Sequence, residues 1–207
     1  MHKKIILLAG PTASGKSKLA IKISKKINGE IINADSMQVY RDISILSSRP
    51  LKKDLIKAKH HLYGFLSVNK HFSTGEWLKL VKKLIKNISQ KKKVPILVGG
   101  TGLYFNAIIN GISKIPKINN LKRKKIRALH KKIGQKKFYK KLIEIDPLSK
   151  NKFQPNDTQR TLRAYEVKSA TNKSLYKWAL NTESEFSPPT VTGKLAAEIG
   201  LFPAGLG

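Results

Sequence analysis

Residues 3–27 read KKIILLAGPTASGKSKLAIKISKKI, and this stretch decides the fold. Its first seven residues form a short apolar run that ends at Gly10, the mark of a buried strand. From Lys16 to Ile27, Leu19, Ala20, Ile23 and Ile27 recur at helical spacing, and Gly29 follows as an expected stop. Between strand and helix lie Gly10, Pro11, Thr12, Ala13, Ser14, Gly15, Lys16 and Ser17, which fit the pattern G-x-x-x-x-G-K-[ST]. Glycines let successive backbone N–H groups turn inward around an anion, and the following helix adds its positive N-terminal end. Lys16 is the mobile cation for phosphate oxygens, and the Ser17 hydroxyl is the candidate ligand for Mg²⁺.

Working outward, residues 30–34 (EIINA) form a second expected strand, which delivers Asp35 at its end. Residues 94–98 (VPILV) form a third, closed by Gly99 and Gly100. Residues 77–88 carry apolar side chains on one helical face. Strands alternating with helices give an α/β fold: a P-loop NTPase-like parallel sheet flanked by helices, spanning residues 1–114. After Ile112 the character changes. Residues 115–182 are dense in Lys and show helical but no strand-like patterning, so they are expected to form a basic helical insertion domain. A helix near residues 157–169 should be capped by Asn156 or Asp157. Residues 183–207, with one Lys, three Glu and Pro188-Pro189, look like a divergent loop-like tail.

The 207 residues carry 42 Lys and Arg against 12 Asp and Glu, a net charge of +30 and a pI near 10.3. Such a field draws polyanions, nucleic acid first. Without cysteine there is no disulfide scaffold, thiolate metal site or cysteine nucleophile. No apolar run reaches bilayer length, and the N-terminus lacks a secretion signal, so a cytoplasmic protein with no membrane partner is expected.

The loop names a phosphate-bearing ligand but not a reaction. The third strand runs into ILVGGTG, not into a metal-holding carboxylate, and six Arg are few for a kinase lid. Asp35 is therefore the sharp candidate: a carboxylate near bound phosphate able to take a proton from a nucleophile or to hold a metal through water.

Five motifs occur in order: GPTASGKS (10–17), NADSMQVYR (33–41), HHLYGF (60–65), PILVGGTGLYFNAIINGI (95–112) and NDTQRTLRAYEV (156–167). In combination they resemble the tRNA dimethylallyltransferases, also called tRNA isopentenyltransferases, over residues 4–180. The resemblance implies transfer of a five-carbon allylic group from dimethylallyl diphosphate to N6 of the adenosine 3′ of the anticodon, with Mg²⁺ as cofactor, the tRNA anticodon stem-loop as partner and a monomeric enzyme. It implies that residues 10–17 bind diphosphate with Lys16 catalytic, and that Asp35 is the general base. It implies further that Ser36, Met37 and Gln38 read tRNA and that Thr101 lies beside the reacting adenine. Arg123 falls where the insertion meets tRNA, and Gln159, Arg160, Thr161, Leu162 and Arg163 match the segment that contacts the anticodon loop. Tyr40, Tyr104, Trp77 and Trp178 read as packing residues.

Four departures stand out. Leu46 replaces a glycine, Thr158 a proline, Asn172 a glycine and Ser174 a proline. The chain also stops where the family normally continues, which reads as C-terminal truncation. Two alternatives stay open at this point: a P-loop small-molecule kinase, and a non-catalytic tRNA-binding remnant.

Overall fold

The computed structural model describes residues 4–180, which form two compact units, one ending at Gly111 and the other beginning at Ile112. The first contains β1 (Ile6–Ala9), α1 (Lys16–Lys26), β2 (Gly29–Asn33), α2 (Lys52–Leu55), β3 (His60–His61), α3 (Thr74–Gln90), β4 (Val94–Gly99) and α4 (Gly102–Asn110). The strands make one parallel sheet in the order β1-β4-β2-β3. Two of them bury alternate residues on opposite faces, as a sheet covered on both sides requires. Ile31, Ile96 and Val98 pack with Ala20 and Ile23 of α1, whereas Ile32 and Leu97 pack with α3 and α4. On α3, Trp77, Leu78, Val81, Ile85 and Ile88 turn inward, and Ser73 with Glu76 closes a capping box at its start. The Trp77 indole stacks on Tyr104 at 4.1 Å and donates to the Asn33 carbonyl at 2.9 Å, so both rings are core.

Three elements of this unit escaped the sequence, among them the single-turn helix α2. The strand β3 has only two residues, too short for any period, and α4 starts at a glycine inside a loop-like GGTG run. Gly29 also has a different job. The left-handed residue after α1 is Asn28 (φ 50°), and a Cβ on Gly29 would lie 2.7 Å from Ile96 Cδ1, so Gly29 admits β2 close beside β4. Leu46, at the position where the resemblance leads one to expect glycine, needs no left-handed backbone, because the left-handed position in that loop is Ser48 (φ 51°) and Leu46 projects outward.

The second unit contains α5 (Asn120–Ile145), a 3-10 turn (Pro147–Ser149), α6 (Thr158–Thr171) and α7 (Leu175–Ala179). The helix α5 breaks at Gly134, whose φ of 75° and ψ of 163° suit glycine alone. Across the break, Gln135 accepts from the Thr158 hydroxyl and donates to the Pro155 carbonyl and the Thr161 hydroxyl. Asp157 caps α6, its Oδ1 accepting from Arg160 N at 3.0 Å. Asn172 takes the left-handed C-cap of α6 (φ 55°), a conformation Asn tolerates. Ser174 caps α7 and donates to Asp146, so serine supplies what proline could not. The buried Asp146 carboxylate also accepts from Ser149 and so ties the turn to α7. No helix among the described residues is long and apolar enough to cross a membrane. The expected tail at 183–207 lies outside the described residues.

Candidate functional site

The phosphate loop runs from the end of β1 to the start of α1. Its anchor is Gly10 N, which donates to the Gly99 carbonyl at 3.3 Å. Ala13 and Gly15 have φ of 65° and 80°, and such left-handed steps turn the backbone N–H groups toward one concavity. Among the described residues, the N–H groups of residues 12–15 donate to no protein acceptor. Lys16 folds back over the loop, its ammonium donating to the Pro11 carbonyl and to Ser14 Oγ at 3.3 Å. These are weak substitutes for phosphate oxygens, and a bound anion would draw the side chain across. The half-buried Ser17 makes no side-chain hydrogen bond among the described residues, which leaves its hydroxyl available to a metal or phosphate.

Asp35 stands two residues past β2, on the same edge of the sheet, and its orientation is tightly fixed. The buried Asn33 side chain accepts from Asp35 N at 2.9 Å and donates to the carbonyls of Asp35 and Leu62, both at 3.0 Å. Carboxylate oxygen Oδ1 accepts from Met37 N at 2.9 Å and, longer, from Gln38 N. Oxygen Oδ2 points toward Gly100. A Cβ on Gly100 would sit 3.7 Å from that oxygen and 3.3 Å from the Gly10 carbonyl, so carboxylate and phosphate loop converge on one small gap. Gly99 is tighter still, since a Cβ there would lie 2.1 Å from the Ala34 carbonyl oxygen. Asp35 also raises the phenol pKa of two neighbours. Burial, then Tyr40 and Asp35, push Tyr104 up to about 12; burial, then Asp35, push Tyr63 upward.

Thr101 occupies the N-cap position of α4 without capping it. Its hydroxyl instead accepts from Ser36 N at 2.9 Å and meets Ser36 Oγ at 3.3 Å, clamping the turn that carries Asp35. Gln38 is committed as well: its amide donates to the carbonyls of Ser47 and Ser48. Of residues 36–38, Met37 is the exposed one.

In the second unit the expected RNA-facing residues divide sharply. Gln159 and Arg160 are exposed on the first turn of α6, and Arg163 is half-buried behind them. Thr161 and Leu162 turn inward: the Thr161 hydroxyl donates to the Asp157 carbonyl at 2.7 Å, and Leu162 packs with Ile126 and Phe138. Helical periodicity explains this, because one turn cannot show all five side chains to solvent. Arg123 Nε donates to buried Glu166 at 3.1 Å, and Arg127 approaches the same carboxylate at 3.4 Å, so Arg123 anchors α5 to α6.

Sequence reasoning missed Asn33, Gly100 and Gln135. Asn33 had a signal, a polar residue inside an apolar strand that no solvent face explains. The other two act only through neighbours distant in sequence.

A family model described as IPP transferase matches residues 38–198. The chain is 62% identical over 186 residues to the tRNA dimethylallyltransferase of Pelagibacter ubique (strain HTCC1062), covering 90% of this chain and 59% of that protein. It is 47% identical to the tRNA dimethylallyltransferase of Rickettsia massiliae (strain Mtu5), covering 90% of this chain and 52% of that one. Among solved structures it resembles a eukaryotic dimethylallyltransferase acting on tRNA, with TM-score 0.76 and 29% identity over 90% of this chain and 46% of the other. It also resembles the full-length tRNA isopentenylpyrophosphate transferase of Bacillus halodurans, with TM-score 0.54 and 34% identity over 83% of this chain and 57% of the other. The chain thus spans little more than half the length of the curated relatives it matches.

Proposed function

The chain belongs to the IPP transferase family, and from that premise we propose that it transfers the dimethylallyl group of dimethylallyl diphosphate to N6 of the adenosine 3′ of a tRNA anticodon, releasing diphosphate. The observation that carries the reading is the gap at Gly100, bordered by Asp35 Oδ2 and by the phosphate loop's Gly10 carbonyl.

The phosphate loop would bind the diphosphate as a leaving group. As the bond from allylic carbon to oxygen breaks, charge grows on the departing diphosphate. Lys16 and the amides of residues 12–15, which donate to no protein acceptor among the described residues, would hold that charge. The exocyclic amine of adenine forms the new bond to carbon, and its proton passes to Asp35 Oδ2. Oxygen Oδ1 is occupied by Met37 N, so the free oxygen is also the one that faces the gap. Thr101 acts through the Ser36 turn, which makes it a positioning residue. The adenine must leave the anticodon stack to reach this edge.

Mg²⁺ fits the residues present through Ser17, whose half-buried hydroxyl makes no side-chain hydrogen bond among the described residues and would be the protein oxygen that holds the ion. When bound, it would neutralise diphosphate charge. RNA would meet Gln159, Arg160 and Arg163 of α6.

Asp35→Asn is the test. It keeps Oδ1 as acceptor for Met37 N and removes only the base. Dimethylallyl transfer to an anticodon stem-loop RNA should fall by about 10²–10⁴-fold while diphosphate affinity holds. Transfer at the parent rate would remove Asp35 from the reaction.

A further inference from the structure

Two adjoining clefts open on the second unit, and neither belongs to the phosphate-loop site. One, of about 380 Å³, is lined by Lys152, Gln159, Arg160, Arg163, Leu175 and Tyr176. The other, of about 450 Å³, is lined by Tyr139, Asn151, Phe153 and Gln154, and shares Lys152 and Arg160 with the first. Each lies within the roughly 300–1,000 Å³ of small-molecule sites.

The cations here are poorly satisfied by the protein. Half-buried Arg163 makes no hydrogen bond or ion pair within 4 Å among the described residues, and Glu166, whose charge it feels, is engaged by Arg123 and Arg127. Burial first and then Arg123 work against its guanidinium charge, a cost that a bound anion would offset. The Lys152 ammonium has the Tyr176 ring, 5.8 Å from its centroid, as its neighbour. Among the described residues Arg160 is ion-paired only to its own helix cap, Asp157, at 3.4 Å with both groups partly in solvent.

Each chamber is also lined by a tyrosine ring: Tyr176 in the first and Tyr139 in the second. The second adds the side-chain amides of Asn151 and Gln154, donors and acceptors suited to base edges. Aromatic faces flanking a cationic wall are the chemistry of unstacked nucleotides.

We propose that the two chambers seat two successive unpaired nucleotides of the RNA, with the phosphate between them held on the shared wall by Lys152 and Arg160. This assignment rests on the tRNA reading above and extends it: Lys152, Tyr176, Tyr139, Asn151 and Gln154 become RNA-reading residues, none of which belongs to the phosphate loop or the Asp35 turn.

The experiment measures binding of a fluorescein-labelled anticodon stem-loop by the full chain between 50 and 300 mM salt. Lys152→Ala should weaken binding about tenfold and make the salt slope shallower by about one. Tyr176→Ala should weaken it about tenfold, while Tyr176→Phe, which keeps the ring, should bind like the parent. Affinity for dimethylallyl diphosphate should not change in any variant. A dinucleoside monophosphate should compete at least tenfold better than a single nucleoside monophosphate. Parent-like Kd and slope in Lys152→Ala and Tyr176→Ala would overturn the assignment and leave the transferase reading intact. Equal competition by one and two nucleotides would overturn the paired chambers. Failure of the parent chain to bind the stem-loop would overturn the tRNA reading and this proposal with it.

Discussion

Thr101→Val isolates the clamp that aims Asp35. The substitution keeps the branched shape at the start of α4 and deletes one hydroxyl. That hydroxyl does not cap α4, so no helix cap is lost with it. What disappears is the acceptor for Ser36 N at 2.9 Å and the partner of Ser36 Oγ at 3.3 Å. A half-buried N–H left without acceptor costs about 1–3 kcal/mol, and the longer hydroxyl contact adds at most about 1 kcal/mol. Partial access to water puts the sum near 1–2 kcal/mol, a fall of about 2–4 °C in Tm for each kcal/mol. The effect on rate should be larger than the effect on stability. Once Ser36 is released, Asp35 is held through its backbone by Asn33 and through its carboxylate by Met37 N and, at longer range, Gln38 N, and a shift of about 1 Å in a reacting group can cost about 100-fold. Dimethylallyl transfer to the stem-loop, diphosphate affinity and thermal melting should be read on the same samples. The expected pattern is a 10–100-fold loss of transfer, a melting shift of a few degrees, unchanged diphosphate affinity and recovery in Thr101→Ser. A Thr101→Val protein that melts and transfers like the parent would refute the clamp. So would equal loss in Thr101→Ser, because the hydroxyl would then not be the group that matters.

Adjacent glycines should give opposite phenotypes. Gly99→Ala forces a Cβ to 2.1 Å from the Ala34 carbonyl oxygen and should cost several kcal/mol, seen as loss of soluble folded protein. Gly100→Ala adds a methyl at 3.3 Å from the Gly10 carbonyl and 3.7 Å from Asp35 Oδ2, so it should melt like the parent yet transfer poorly. Glu30 sets an acid limit. Its buried carboxylate pays a burial penalty that raises its pKa, but hydrogen bonds from His61 (2.7 Å) and Lys93 (3.0 Å), with Lys59 beyond them, outweigh it and hold the pKa below 4.5. A depressed folded pKa contributes stability that is present above the unfolded value and lost as pH falls through the folded one. Melting temperature should therefore drop below about pH 4.5, and Glu30→Gln should remove that part of the slope. Gln135→Ala unties the break in α5 from Thr158, Thr161 and Pro155. Stem-loop affinity should weaken severalfold, with unfolding free energy lowered by about 1–3 kcal/mol and diphosphate affinity unchanged.

Much of this was legible because it is local and periodic. The run 3–27 holds strand, anion loop and helix in one stretch, and both neighbours of the loop can be read by spacing alone. Asp157 as a cap and Trp77 as core also follow from local pattern. Hidden features depend on pairing. The register Ile31↔His60 makes a strand of two residues that have no strand signature of their own. Thr101 reads as a neighbour of the reacting adenine, and its second task, accepting from Ser36 N 65 residues earlier, shows only in the fold. Thr161 and Leu162 read as part of a contiguous recognition segment, but a helix presents faces, and their face is the core. Arg123 reads as a point where the insertion meets tRNA, and only the fold adds Glu166, whose buried carboxylate accepts from it.

The acidic residues explain how a charge of +30 becomes useful instead of merely repulsive. Glu30, Asp146 and Glu166 are buried and consumed by local partners. Glu76 and Asp157 cap helices, and Asp42 accepts from Val68 N. Asp35 keeps its second oxygen for the gap at the sheet edge. With six of the twelve acids engaged in architecture and Asp35 at the site, few remain to neutralise the surface lysines, so a broad cationic field survives. Such a field binds phosphates without regard to sequence, and salt screens it. Lysine supports that role well, being a mobile point charge with no planar fork. Discrimination has to come from the rarer groups that can form shaped contacts. Two of the six arginines, Arg160 and Arg163, line the same basic cleft beside Tyr176. Raising salt should therefore erase binding to arbitrary RNA well before binding to the cognate stem-loop, and substitutions in the cleft should close the difference between the two.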